Sequence, residues 1–173
     1  MMATNTFILY RNLWRTCLFS ALGFIFWIVG PTGVNAQTPA PITLEWKVDI
    51  KFGKAASDVG GPGTIIIDPV ANSRTVTGAA FDFGGTWKRG KLVITGEPKA
   101  KVNVYFPASY TLTNNAGTFS ITVNNVTMNK TNPFKLNNSG KKNVFFGGTL
   151  QIATNQKGRN YKVGGFTITV EYN

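Results

Sequence analysis

The sequence predicts an all-β fold, an antiparallel sandwich in a single domain, and three observations carry that prediction. After residue 37, helical periodicity is nearly absent and alternation with a period of two residues dominates. Clusters of Gly, Asn and Pro cut the chain at short intervals. Between them lie roughly nine or ten short pieces rich in Val, Ile, Thr and aromatic residues, the signature of a sandwich or barrel.

An address precedes the domain. Residues 1–15 carry Arg11 and Arg15 and no acid, and an apolar run follows that includes Leu18, Phe24, Ile25, Trp27 and Val29. Pro31-Thr32-Gly33 and the small-residue pattern Val34-Asn35-Ala36 complete the three regions of a secretory signal peptide, with cleavage expected after Ala36. The apolar run is about 15 residues, short of the roughly 20 that a membrane-spanning helix needs. Cys17, the only cysteine, belongs to this leader. It stands ahead of most of the apolar run, not at the cut, so no lipid anchor is expected. Residues 37–173 therefore form the expected mature domain, without a disulfide and without a membrane span.

The elements follow from the alternation. Ile42, Leu44, Trp46, Val48, Ile50 and Phe52 alternate with Thr43, Glu45, Lys47, Asp49 and Lys51. A strand sends successive side chains to opposite faces, so residues 42–52 read as one long half-buried strand. Breakers at 57–63 lead to a β-branched strand at 64–67, closed by Asp68-Pro69, and a turn at Asn72-Ser73 leads into a strand at 74–80. Strands at 91–95, 101–106 and 110–113 come next, separated by Gly96-Glu97-Pro98 and Pro107. Residues 118–128 read as a strand bent near Asn124-Asn125. Residues 143–154 form one containing Gly147-Gly148, a pair expected at a bulge or a close backbone approach. Residues 161–172 close the chain, with Phe166, Ile168, Val170 and Tyr172 on one face.

Charge is one-sided. Eighteen basic residues face seven acids; with Arg11 and Arg15 gone, sixteen remain and the net charge of residues 37–173 is +9. That excess raises affinity for polyanions such as anionic polysaccharide. Lys88, Arg89 and Lys91, together with Lys141 and Lys142, are the clustered candidates. A solvated basic surface with no partner explains the same charges, because most are spread singly along strands. Aromatics among basic residues at 83–91 and at Tyr161-Lys162 suit stacking on bases or sugars, although at strand spacing such aromatics more often belong to a core.

The missing chemistry excludes more than the charge suggests. There is no histidine, and no cysteine after Cys17. Zinc, copper and iron sites draw on those residue types, so no metal or cofactor is expected. A serine or cysteine nucleophile with a histidine base is impossible. The seven acids are Glu45, Asp49, Asp58, Asp68, Asp82, Glu97 and Glu171. Glu45 and Asp49 share a strand face roughly 13 Å apart at about 3.3 Å per residue, too far for a glycosidase pair. Gly60-Gly61-Pro62-Gly63 lacks the Lys-Ser/Thr ending of a phosphate loop. A non-enzymatic protein, with no small-molecule substrate, is the expectation.

Several segments resemble a known family. Val48-Asp49-Ile50-Lys51-Phe52-Gly53 resembles the strand end that opens a family of secreted bacterial β-domains of unknown function. Gly63-Thr64-Ile65-Ile66-Ile67 and Arg74-Thr75-Val76-Thr77-Gly78 resemble its next hairpin, and residues 91–96, 102–107 and Tyr110-Thr111-Leu112 its middle. Phe146-Gly147-Gly148-Thr149-Leu150 and residues 164–173 resemble its close. The family is distantly similar to spore coat protein U and to chaperone–usher pilin subunits. The resemblance implies an immunoglobulin-like sandwich and, from the pilin side, a fold completed by a strand from another chain. The pilin disulfide is missing, and only Gln37-Thr38-Pro39-Ala40-Pro41 precedes Ile42, so residues 42–52 would have to serve as both first strand and donor.

The expected function is a structural or surface subunit of the cell envelope, at the periplasm, cell surface or outside, assembling with itself or through a periplasmic chaperone. Its working surfaces would be the strands of Ile42, Leu44, Trp46, Val48, Ile50 and Phe52 and of Phe166, Ile168, Val170 and Tyr172. The alternative is a monomeric secreted module for anionic glycans or other polyanions.

Overall fold

A computed structural model describes residues 38–57, 59–156, 160–163 and 166–173. The leader with its cut at Ala36, and Gln37, Asp58 and Gly164-Gly165, lie outside the described residues. Gln37–Asn173 forms one compact unit. Its strands, in chain order, are β1 (Thr43–Val48), β2 (Lys51–Phe52), β3 (Ala55–Ser57), β4 (Gly63–Asp68), β5 (Ser73–Gly78), β6 (Ala80–Asp82), β7 (Trp87–Lys88) and β8 (Gly90–Thr95). There follow β9 (Lys101–Tyr105), β10 (Ser109–Asn114), β11 (Ser120–Met128), β12 (Phe134–Lys135), β13 (Lys141–Ile152), β14 (Tyr161–Val163) and β15 (Thr169–Tyr172). No helix occurs among the described residues, every strand pairing is antiparallel, and the all-β sandwich class stands.

β13 organises the larger sheet. Its first half, Lys141 to Phe146, pairs with β8, and its second half, Gly148 to Ile152, pairs with β4. β11 holds the opposite edge. Beyond β8 lies β1, beyond β4 lies β5, and beyond β11 lie β10 and β14. The second layer is smaller: β12, β9 and β15 form one sheet, while β2–β7 and β3–β6 are separate two-stranded ribbons.

The alternation decides which side chains go inside. β8 buries Leu92 and Ile94, β9 buries Val102 and Val104, and β13 buries Val144; with Phe134, Leu136 and Ile168 they make one core between the two layers. A second core gathers Ile65, Ile67, Tyr110, Leu112, Ile121, Val123, Leu150 and Ile152 on the inner face of the larger sheet, under Ile50 and Phe52. Phe106, Met128 and Phe166 pack against both and join them. Each fully buried apolar side chain contributes about 1.5–3 kcal/mol as an upper figure, since real unfolded chains already bury some surface.

Two glycines set how closely the strands approach. A Cβ on Gly90 would lie 2.0 Å from the ring of the fully buried Phe146, and one on Gly147 would lie 2.0 Å from the carbonyl oxygen of Ile67. The Gly147-Gly148 pair is thus a close backbone approach. The bulge itself sits across from it in β11, where the register shifts between Asn124 and Thr127 and Asn125 takes φ 50°. This is the bend expected near Asn124-Asn125.

Three sequence expectations are corrected. Residues 42–52 are not one strand. β1 shifts register between Trp46 and Val48, so Val48 pairs with Lys91 one step late. The chain then leaves β8, and Lys51–Phe52 pairs instead with Trp87–Lys88. Ile42 and Leu44 therefore serve one core, Ile50 and Phe52 the other, and Val48 belongs to neither. A bulge inserts one residue and breaks the strict alternation that a simple periodic pattern assumes. Residues 161–172 likewise divide: β14 pairs with β10 in the larger sheet and β15 with β9 in the smaller one, which a single straight strand cannot do. Residues 74–80 divide between β5 and β6 at Gly78, whose φ of 73° turns the chain.

Candidate functional site

The two strands expected to assemble are both edges. β1 pairs only with β8 and β15 only with β9 among the described residues. They lie in different sheets, and Trp46 of β1 reaches Phe166, which stands just ahead of β15. Trp46 sets its indole edge-on to Phe166, ring centroids 5.6 Å apart, and to Phe146 at 5.1 Å. Phe166 stacks in turn on Tyr110 at 4.6 Å. Trp46 remains 41% exposed. Its Nε1 donates to the Asp49 carboxylate at 2.6 Å, which ties the end of β1 to the break that follows.

At the other end of β1, the entering chain is pinned. Ala40 donates its amide to the Glu97 carboxylate at 3.1 Å, and its carbonyl accepts the Tyr172 phenol. Ile42 and Leu44 are half-buried against the core that also holds Ile168, Val170 and Tyr172. The structure thus brings Ile42, Leu44, Trp46, Phe166, Ile168, Val170 and Tyr172 to one side. Val48 lies outside both cores, while Ile50 and Phe52 belong to the second core, which Phe166 also touches.

The basic candidates do not converge. Lys88 lies opposite Lys51 in the β2–β7 ribbon. Arg89 donates to the Pro69 carbonyl at 2.7 Å and sits 3.8 Å over the Phe145 ring, so a backbone contact and a cation–π contact both occupy it. Lys91 approaches the same ring at 5.9 Å. Lys141 and Lys142 pair with Thr95 and Ile94, at the far end of β8 from Lys91. Lys51 was missed as a candidate; its signal was its outward position beside Phe52, legible only once the partner strand is known.

Each of the six described carboxylates has a local partner. Glu45 meets Lys47, Asp49 meets Trp46, and Asp68 accepts the amides of Val70 and Ala71 at 2.7 and 2.9 Å. Glu97 accepts Ala40, and Glu171 accepts the Tyr105 hydroxyl at 3.1 Å, which raises that phenol's pKa. Asp82 accepts Arg74 Nη1 at 2.5 Å and the Gly84 amide, and both hold its carboxyl below the usual range. The Arg74 side chain is only 7% exposed; its Nε donates to the Phe52 carbonyl at 2.7 Å, and its Nη2 has no partner among the described residues. Nor does the buried Tyr110 hydroxyl, whose pKa burial raises far above the ordinary phenol value. Among the described residues no group of three His, Cys, Asp or Glu is placed to hold a metal ion, and no helix is long and apolar enough to cross a membrane.

Comparison with known families finds one match. Residues 42–172 match the model described as "Domain of unknown function (DUF4402)". No curated protein and no solved structure matches the chain.

Proposed function

The chain belongs to the DUF4402 family, a domain of unknown function, and from that premise we propose that it is an exported, non-enzymatic subunit of the bacterial cell envelope that assembles by exchanging its first strand with a neighbouring copy. The observation that carries this reading is that β1 is held along one edge alone. It nevertheless supplies Leu44 to one core, next to Ile42, and Trp46 to the aromatic cluster. Asp49 and Ile50 separate it from β2, and the register shift at its end gives the chain a place to swing.

The energetics suit exchange. Full burial of three such side chains would be worth about 4.5–9 kcal/mol. Ile42 and Leu44 are half-buried and Trp46 is 41% exposed, so their share is smaller, yet it still weighs against the stability of a whole domain, about 5–15 kcal/mol. A domain stripped of β1 would be marginal, and a copy of β1 from a neighbour would restore it through the same backbone ladder. That is the economy of a pilin-like or coat-like subunit, with a periplasmic chaperone as the natural guardian of the uncovered state. The lack of histidine, and of cysteine after Cys17, supports a non-enzymatic reading. The leader supports export to the periplasm, cell surface or beyond.

The test compares the mature chain with one beginning at Asp49. The truncated form is expected to be unstable or oligomeric alone, and to bind a peptide of residues 37–48 with recovery of cooperative unfolding. A truncated chain that stays a stable monomer and ignores the peptide sinks the reading.

A further inference from the structure

The inner face of the larger sheet is not fully roofed. Between the corner joining β2 to β3 and the strand β14, two contiguous recesses of about 480 and about 900 Å³ share the floor residues Ile121 and Leu150. Ile65 and Ile152 complete the floor, all four belonging to the core and each at most 8% exposed. At the mouth stands Phe83, 66% exposed, just past the end of β6, whose Phe81 is itself 54% exposed.

The rim carries the opposite chemistry. Lys51, Lys54 and Lys162 line the recess and are all exposed, against the single acid Asp49 among the described residues. Lys88 stands directly opposite Lys51. Like charges facing each other across a ribbon are unfavourable, and an anion between them relieves that repulsion.

We propose that this recess binds a single-chain anionic amphiphile, a long-chain carboxylate with its alkyl tail over Ile65, Ile121, Leu150 and Ile152 and its head among Lys51, Lys54 and Lys162. The floor is aliphatic, which suits an alkyl tail, while Gln156, Asn160 and Tyr161 line the walls around it. The site is distinct from the β1 edge and stands or falls separately from the assembly reading.

The test is calorimetric titration of the exported chain with decanoate below its self-association concentration. Saturable binding of one decanoate is expected, with decanol weaker by about tenfold, because the lysines contribute through the charged head. The double variant Lys54→Glu/Lys162→Glu should also weaken decanoate by about tenfold or more, and Phe83→Ser should weaken both ligands alike. The three side chains are exposed, so circular dichroism should be unchanged. No saturation with decanoate, or equal affinity for decanoate and decanol, overturns the proposal. So does binding only to anionic phospholipid vesicles, which would make the basic rim a membrane contact.

Discussion

The phenol of Tyr172, in the last strand, donates a hydrogen bond to the carbonyl of Ala40, just ahead of the first. The same oxygen accepts the Glu97 amide at 2.7 Å, and the Glu97 carboxylate accepts the Ala40 amide. One hydroxyl thus latches the entry of β1 to β15 and to the turn after β8.

Removing that hydroxyl should loosen β1 without touching the core. Tyr172→Phe is expected to lose about 1–2 kcal/mol in urea unfolding, the usual net worth of one or two part-buried hydrogen bonds. If β1 exchanges between copies, the same variant should shift size-exclusion profiles toward larger species. A monomer of unchanged stability would show that the latch is idle.

Tyr110 offers the opposite case. Its hydroxyl is buried with no partner among the described residues, and an unmet buried donor costs about 1–3 kcal/mol. Tyr110→Phe should therefore be neutral or stabilising. The pH dependence has a definite sign: burial raises the phenol's pKa, so above about pH 10, the ordinary phenol value, the unfolded chain loses a proton that the folded chain keeps. Stability should fall as pH climbs beyond that point, and less steeply in Tyr110→Phe. Parallel urea titrations from pH 8 to about 11 distinguish the two proteins.

Gly90→Ala tests the closest approach in the core. The added methyl meets the Phe146 ring, and overpacking of this kind costs about 1–3 kcal/mol. Gly90→Ala/Phe146→Leu should lose less than the sum of its single changes, because the smaller side chain vacates the contested space. Strict additivity would mean that the backbone, and not the ring, gives way.

Arg74 ties β5 to β2 through the Phe52 carbonyl and to Asp82. Arg74→Ala should lower stability by about 1.5–3 kcal/mol, the range for a hydrogen bond to a charged group. Asp82→Asn should cost less, because that carboxylate lies at the surface. The contribution of Asp82 should be present above the ordinary carboxylate range and disappear as the pH falls through it, the direction set by its lowered pKa. Acid titration of wild type against Asp82→Asn reads that difference.

Alternation alone made the longer strands legible. β4, β8, β9, β10 and β13 fall where the sequence puts them, because their inner residues, such as Leu92 and Ile94 or Val102 and Val104, repeat every second position. The glycine pair at 147–148 and the paired asparagines at 124–125 announced backbone features for steric reasons that need no partner. What stayed hidden depended on partners. β12 and β7 are two residues long and have no period to detect. The division of residues 42–52 follows from Trp87–Lys88 competing with β8 for the chain after Val48. The candidate edges were legible as strands, but the contact of Trp46 in β1 with Phe166 ahead of β15, and the cationic rim that Lys162 shares with Lys51 and Lys54, exist only in three dimensions.

The shared strand β13 has a consequence for motion. From Thr149 to Gln151 it is flanked by β4 on one side and β11 on the other, while its first half carries β8. Opening this stretch to solvent must disturb both flanking ladders and breach the core that holds Leu150. Deuterium should therefore reach this stretch last, at the rate of whole-domain opening, while the amides of β1 trade protons far sooner. The same molecule would then be rigid through its centre and restless at the rim where a neighbour could take hold.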